Sequence, residues 1–230
     1  MDELVTADST SLRRFLARWY GRPAAAVPGE VPADGIREGL ATLAAYPGSV
    51  TQNSLRDPER SGNAGAVRTI YVENQAAWVW GYRHDGRGRP ELLERENEPG
   101  RAWTAIAEDF AAFYLHVAVY EALWTGADAV SFFGLTTGQV DEALVGFEPV
   151  DVGRWRWPGP RHRLWASDGL LAFSCLNAHP DHPVPETVAD ACDIGHENMI
   201  EGGYYLLVGA RDHDAVDDLR SRDLPWESEL

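Results

Sequence analysis

The chain has 230 residues, 44% hydrophobic and 24% charged, which is the composition of a folded globular protein and excludes a disordered one. Its 36 acidic residues outnumber 20 basic ones, all of them arginine, and the formal net charge is −16. Such a charge repels nucleic acid and anionic membranes, whose affinity for proteins depends on neutralising phosphates, and it favours a cationic partner.

Three features of the sequence predict a reduced, cytoplasmic protein. Residues 1–20 hold acidic side chains where a secretion signal has basic ones, and no continuous apolar stretch follows them. The most apolar segment, Ala102–Trp124, is interrupted by charged residues, which predicts a core helix and not a membrane span. Cys175 and Cys192 are too few for a disulfide framework.

The start of the chain predicts two helices followed by a loop. The stretch "STSLRRFLARWYG", residues 9–21, has apolar residues at helical spacing after a cap at Ser9 or Thr10. A second helix is predicted over Asp34–Ala45, where apolar residues again share one face. The polar, glycine-containing residues 51–66 predict a loop.

An aromatic hairpin comes next. Val67–Glu73 and Ala76–Tyr82 are rich in β-forming residues and are separated by two polar residues, which predicts two antiparallel strands. On the second strand Trp78, Trp80 and Tyr82 share one face, and the other face is small and apolar. The strand is therefore predicted to be central, covered on both sides, and part of the core. Because tryptophan and tyrosine keep a polar tip, part of this ladder bordering a groove stays open as an alternative.

The remaining elements favour an α+β fold. "PELLERE" predicts a third, more exposed antiparallel strand, and residues 104–124 predict the strongest helix, with Glu108 and Asp109 near its start. Further predictions are a strand near Ala129–Phe133, a helix over Thr137–Leu144, a hairpin in "RLWASDGLLAFSC" with its turn at Asp168-Gly169, a strand in "YYLLVGA" and a helix in "DHDAVDDLRSR". We expect a mainly antiparallel sheet flanked by helices, in a single domain over 1–230. A division into two lobes at Pro158–Arg163 is the alternative.

One stretch near the C-terminal end concentrates residue types that bind metals. Its potential zinc ligands are Cys175, His179, Asp181, His182, Cys192 and His196. Their spacing matches no standard zinc finger or ribbon, and neighbouring prolines keep the histidines off a regular helix, so a surface loop is favoured and no metal or other cofactor is expected. A metal-dependent enzyme or small hydrolase using the Cys175–His196 region, with Cys192 and His196 as a nucleophile and base, remains the alternative.

An acidic series lies in "PELLERENEPG". In an extended chain Glu94, Glu96 and Glu98 project to one side. Such a series most often forms a solvated face; it can also dock a basic partner, or, as paired carboxylates, hydrolyse sugars. We take these three glutamates as candidate partner-binding residues.

Aromatic and basic residues alternate in "RWRWPGPRHR". Trp155 and Trp157 interleave with Arg154 and Arg156, a mixture that can bind single-stranded nucleic acid by stacking and charge. The overall acidity favours instead a strand with its tryptophans inward and its arginines outward. Trp155 and Trp157 are kept as candidate contacts for a protein partner.

The order of these elements resembles actinobacterial proteins of the SMI1/KNR4 type, the SUKH superfamily. The blocks that carry the resemblance are "LRRFLARWYG", "YVENQAAWVWGY", "ERENEPGRAWTAIAEDFAAFYLHVAVYEAL" and "DGLLAFSC". The chain lacks the glycine pair that commonly follows the first helices in that family, and residues 178–202 look like an insertion.

The resemblance implies an α+β fold without shared catalytic residues. Many bacterial members of that superfamily are immunity proteins that bind and neutralise toxins, often nucleases, and others are regulatory scaffolds. With no catalytic motif and a strongly acidic chain, we expect a non-enzymatic binding protein, an immunity protein against a basic, nuclease-type toxin. A regulatory scaffold is the alternative within that superfamily.

Overall fold

The computed structural model describes residues 2–58, 67–159, 161–176 and 203–212, together with residues 215 and 217. The chain forms two compact units, each built on an antiparallel sheet with helices, so the α+β prediction is confirmed at that level. The N-terminal unit comprises residues 2–121 and 151–153, and the C-terminal unit comprises the described residues of 122–150 and 154–217. The sequence predicts one domain and offers 158–163 as a possible boundary; the units divide after Glu121 instead.

The N-terminal unit combines three helices, a five-stranded sheet and most of a fourth helix. Its elements are α1 (Asp2–Val5), α2 (Ser11–Tyr20), α3 (Ile36–Ala44), β1 (Ser54–Leu55), β2 (Arg68–Val72), β3 (Trp78–His84), β4 (Pro90–Glu96), β5 (Thr104–Ala105) and α4 (Phe110–Trp124). The strands lie in chain order, each antiparallel to the next, so β3 is central as predicted. The helices predicted over 9–21 and 34–45 are confirmed as α2 and α3.

The predicted aromatic hairpin is confirmed, with a longer connection than expected. Residues 73–77 join β2 to β3, whereas the sequence predicts a two-residue turn. The buried Glu73 organises this connection, because its Oε2 atom accepts hydrogen bonds from the backbone N–H groups of Gln75 (3.0 Å) and Ala77 (3.1 Å). A side chain thus satisfies donors that a short turn would pair with backbone carbonyls.

Helix α4 begins at Phe110, later than the periodicity predicts. Thr104 and Ala105 pair with β4 as a short strand, so this end of the apolar stretch is used in the sheet. The Asp109 carboxylate accepts a hydrogen bond from the Ala112 N–H (2.9 Å) and so caps the helix. Glu108 consequently precedes the helix and does not lie in its first turn.

Helix α3 lies close to α4 at a glycine. A Cβ atom on Gly39 would overlap the ring of Tyr114, whose hydroxyl donates to the Ile36 carbonyl at 3.1 Å. Glycine is unfavourable in a helix interior. Here it is needed because the ring occupies the space that any side chain would fill.

Within the residues that the structure describes, the C-terminal unit is a second five-stranded antiparallel sheet with one helix of its own. Its elements are β6 (Asp128–Leu135), α5 (Thr137–Ala143), β7 (Glu148–Pro149), β8 (Arg163–Ser167), β9 (Leu170–Leu176) and β10 (Tyr204–Ala210), and the strand order is β6-β10-β9-β8-β7. The predicted hairpin is confirmed, with Gly169 at φ +75° in its turn. The helix predicted in "DHDAVDDLRSR" lies largely outside the described residues. No helix in the described ranges has the length and apolar character needed to cross a bilayer.

Candidate functional site

The aromatic face of β3 is interior. Trp80 is 0% exposed, Trp78 8% and Tyr82 3%. The ring of Tyr71 lies 5.0 Å from that of Trp80, and the ring of Phe110 lies edge-on to that of Tyr82 at 5.7 Å. The prediction that this ladder belongs to the core is confirmed, and its indole rings are not available to a partner.

Packing against the aromatic strand β3 buries one member of the acidic series and leaves the other two accessible. Glu94 lies opposite Trp80 in the register and accepts a hydrogen bond from Trp78 Nε1 at 3.2 Å, and it is 1% exposed. The expectation that Glu94 lies on an exposed acidic face is therefore wrong, because the register places it on the covered side of the sheet. Glu96 and Glu98 are accessible, but both pair with Arg101, at 2.7 Å and 3.4 Å.

The arginine–tryptophan stretch is irregular and not the strand that its alternation predicts. Trp155 is 2% exposed and its ring lies 6.2 Å from that of His162, so it packs inside the C-terminal unit and is not a surface contact. Trp157 is half-buried, and its carbonyl oxygen accepts from His162 Nδ1 at 2.6 Å. Of the two tryptophans, only Trp157 retains accessible surface.

The potential metal ligands fall mostly outside the described residues, which include Cys175 but not His179, Asp181, His182, Cys192 or His196. Cys175 is buried at the end of β9, and burial raises the pKa of its thiol to about 12. The thiol is thus protonated at neutral pH and behaves as a small apolar group. Within the described residues no group of three histidine, cysteine or acidic side chains is placed to hold a metal; a metal site at 175–196, the alternative to the metal-free loop that the sequence favours, stays untested.

An open groove in the N-terminal unit gathers carboxylates from three separate segments. This acidic groove has a volume of about 510 Å³. Its acidic residues are Asp8, Glu108, Asp109 and Asp151, and alanines 107, 111 and 112 form much of its floor. The three aspartates are exposed. Small residues on the floor leave the space between the carboxylates open.

Backbone hydrogen bonds hold two of the groove's edges. The N–H group of Asp151 donates to the Leu4 carbonyl at 2.7 Å, and the Asp151 carboxylate accepts from the Ala7 N–H at 3.1 Å. The side chain and backbone of Thr10 donate to Asp8, and these bonds lower the pKa of its carboxyl. Asp8 also forms an exposed ion pair with Arg14, at 3.1 Å.

A buried carboxylate–imidazole pair lies beneath the groove. Glu108 Oε1 and His116 Nδ1 are 2.7 Å apart, and their side chains are 1% and 0% exposed. A Cβ atom on Gly153 would overlap Glu108, so glycine is required at that edge. Hydrolases use such pairs to activate a nucleophile, but the complete burial of His116 keeps its ring from a molecule in the groove. The pair supports the groove and is not exposed for catalysis.

A second buried carboxylate organises the loop before β1. Glu121, 0% exposed, accepts hydrogen bonds from the N–H groups of Thr51 (2.8 Å), Gln52 (2.8 Å) and Asn53 (3.1 Å), and from the Tyr71 hydroxyl (2.6 Å). Burial, followed by the charge of Glu121, raises the pKa of Tyr71 well above its usual value, so that the hydroxyl remains a donor. Sequence reasoning missed this network, for which the only signal is one acidic residue within an apolar helix.

The comparisons with known proteins identify no relative. No protein-family model, no curated protein and no solved structure matches the chain. A functional inference therefore depends on the chemistry of the chain's own residues.

Proposed function

We propose that the chain is a non-enzymatic protein-binding module that captures a basic protein in the acidic groove. The observation that carries this proposal is the presence of three exposed carboxylates, Asp8, Asp109 and Asp151, around alanine residues in one groove, in a chain of net charge −16. This arrangement suits a cationic side chain.

The lining of the groove suits arginine or lysine side chains. A long basic side chain lays its apolar stem against small apolar residues and places its charged head beside carboxylates. Asp109 and Asp151 each use one carboxylate oxygen to accept a backbone N–H, which holds the side chain in place. Both residues are exposed, so the second oxygen of each can accept from a guanidinium or ammonium group.

Long-range attraction adds to these contacts. Residues 177–202 carry six acidic side chains and no arginine, so this part of the sequence adds to the overall negative charge. Opposite net charges accelerate encounter between proteins, and short-range packing then determines how long the complex lasts.

A nuclease-type toxin is the partner class we favour. Nucleases that bind phosphates by charge are basic, and the resemblance to the SMI1/KNR4 type implies immunity to such toxins. We propose an SMI1/KNR4-like fold and an action in the cytoplasm, where an incoming nuclease toxin would have to be neutralised.

Neutralising two groove carboxylates should weaken the complex about tenfold. We expect the double variant Asp109→Asn/Asp151→Asn to lower the association rate with the basic partner and to flatten its dependence on salt, because rim charges act mainly on encounter. Asparagine keeps the capping and acceptor oxygens, so the fold is retained. The partner is purified from the native cell with the wild-type chain, identified by mass spectrometry and titrated against both chains by surface plasmon resonance.

A matched control removes the same charge from the other unit. Asp141 and Glu148 are exposed carboxylates of the C-terminal unit, and Asp141→Asn/Glu148→Gln should change the affinity by less than about twofold. Equal weakening by the two double variants would show that net charge alone matters. A partner with an acidic surface would contradict the proposal outright.

A further inference from the structure

A different cavity of the N-terminal unit lies at the Tyr82 end of the aromatic strand. Its volume is about 580 Å³, within the range of small-molecule sites. Its apolar lining comes from Ile36, Leu40, Pro58 and Tyr82. One member of the aromatic ladder therefore borders a ligand-sized space, as the alternative interpretation of the sequence allowed.

The cavity wall is held by packing on more than one side. Ile36 and Leu40 are one helical turn apart on α3 and so share a face. The Tyr82 ring packs edge-on against both Phe110 and His84, with centroid distances of 5.7 Å in each case. Tyr82 is 3% exposed, so the half-buried side chains of Ile36 and Leu40 supply most of the accessible apolar wall.

The rim of the cavity carries more basic than acidic residues, unlike the protein as a whole. Arg37, Arg68 and His84 line it together with a single carboxylate, Asp57. Arg68 is opposite Tyr82 in the register of β2 and β3, so the two side chains project from the same face of the sheet. The Arg68 guanidinium forms no ion pair with any residue that the structure describes.

We propose that this cavity binds a small anion that carries a flat apolar group, such as an aromatic phosphate ester or carboxylate. The anionic group would contact Arg68, whose planar guanidinium offers two parallel donors to phosphate or carboxylate oxygens. The apolar group would lie mainly against Ile36 and Leu40 of α3. A cationic protein partner is not attracted to this rim, so the site is separate in chemistry from the acidic groove.

Isothermal titration with 1-naphthyl phosphate tests the proposal. We expect a Kd between about 10 μM and 1 mM for 1-naphthyl phosphate. Binding should be at least tenfold weaker for 1-naphthol, which lacks the anionic group, and for inorganic phosphate, which lacks the aromatic group. Arg68→Gln should weaken the binding of naphthyl phosphate at least tenfold, since a charge-assisted contact is lost. Arg68 is exposed, so the variant is expected to fold, which circular dichroism verifies.

Two control variants test whether the loss of naphthyl phosphate binding is specific to this cavity. Arg83 lies on β3 but projects from the opposite face and pairs with Glu91 at 2.8 Å, so Arg83→Gln should bind naphthyl phosphate like the wild type. Asp109→Asn/Asp151→Asn should also retain binding, because the acidic groove takes no part in it. The inference is overturned if naphthyl phosphate fails to bind at about 5 mM, if Arg68→Gln binds it equally well, or if Arg83→Gln loses as much affinity.

Discussion

Replacing Trp80 with alanine should lower the free energy of unfolding of the N-terminal unit by about 3–5 kcal/mol. Trp80 is fully buried on the central strand, in contact with the ring of Tyr71. Its removal takes a large apolar side chain out of the core and leaves a cavity that the flanking strands hold open. Urea denaturation followed by far-UV circular dichroism measures the change without relying on the fluorescence of the replaced residue.

Trp103 provides the control for this substitution. It is half-buried, with the Arg95 guanidinium 4.9 Å from the centre of its ring, so Trp103→Ala removes the same side chain from a partly solvated site. We expect a loss of about 1 kcal/mol, from a cation–π contact and limited burial. Similar losses for both variants would contradict the interior position of the aromatic strand.

Replacing Glu121 with glutamine should cost roughly 3 kcal/mol of unfolding free energy. Each carboxylate oxygen accepts two hydrogen bonds, Oε1 from Asn53 N and the Tyr71 hydroxyl, and Oε2 from Thr51 N and Gln52 N. In glutamine one of these oxygens becomes an NH₂ group. With the NH₂ group at the Oε2 position, two backbone N–H groups face a donor; at the Oε1 position the Asn53 N–H faces a donor, and the Tyr71 hydroxyl would have to turn. The same urea denaturation measures the loss.

Two further variants isolate the cause of the Glu121 effect. Glu98 is 66% exposed, and Glu98→Gln should change stability by less than about 0.5 kcal/mol. Tyr71→Phe removes one donor and leaves the three backbone bonds of Glu121, for an expected loss of about 1–2 kcal/mol. A negligible effect of Glu121→Gln would show that the loop at 51–53 does not depend on this carboxylate.

The longer strands could be predicted from the sequence because strand signals are local, whereas the two separate sheets and the two-residue strands β1, β5 and β7 were not predicted. Alternating side chains and a glycine turn identify the β8–β9 hairpin, where Gly169 adopts positive φ. The ladder of Trp78, Trp80 and Tyr82 identifies β3 as central, since both of its faces are apolar. These signals lie within a few residues of one another, so tertiary structure does not change them.

The burial of Glu94 could not be predicted in the same way. Alternation determines which side chains of β4 share a face, but the pairing of Glu94 with the fully buried Trp80 places it in the covered part of that face. Glu96, at the end of the strand, remains accessible. A carboxylate beside an indole N–H is tolerated at the Glu94 position because the hydrogen bond satisfies it. The late start of α4 has a similar cause, since Thr104 and Ala105 pair with β4 instead of extending the helix.

The acidic groove was not visible in the sequence because its members are far apart in the chain. Asp8 precedes α2, Glu108 and Asp109 precede α4, and Asp151 reaches the N-terminal unit from beyond β7. No spacing rule connects these positions. Their proximity depends on backbone contacts such as that of Asp151 with Leu4.

The buried networks have a common consequence for the proposed binding surface. Glu121 holds the loop before β1 in the N-terminal unit, and the Glu108–His116 pair supports the groove's floor. Neither the Glu121 carboxylate nor the His116 ring reaches solvent. A rigid scaffold reduces the entropy that is lost when a partner binds, so these interior contacts favour affinity without touching the partner.

Hydrogen–deuterium exchange in the complex tests most directly where the basic partner binds. With the purified partner added, we predict slower exchange in peptides covering residues 107–112 and 151–153, which line the acidic groove, and unchanged exchange in β8 and β9 of the C-terminal unit. Protection confined to the C-terminal unit, with groove peptides exchanging as in the free chain, would contradict binding at the groove.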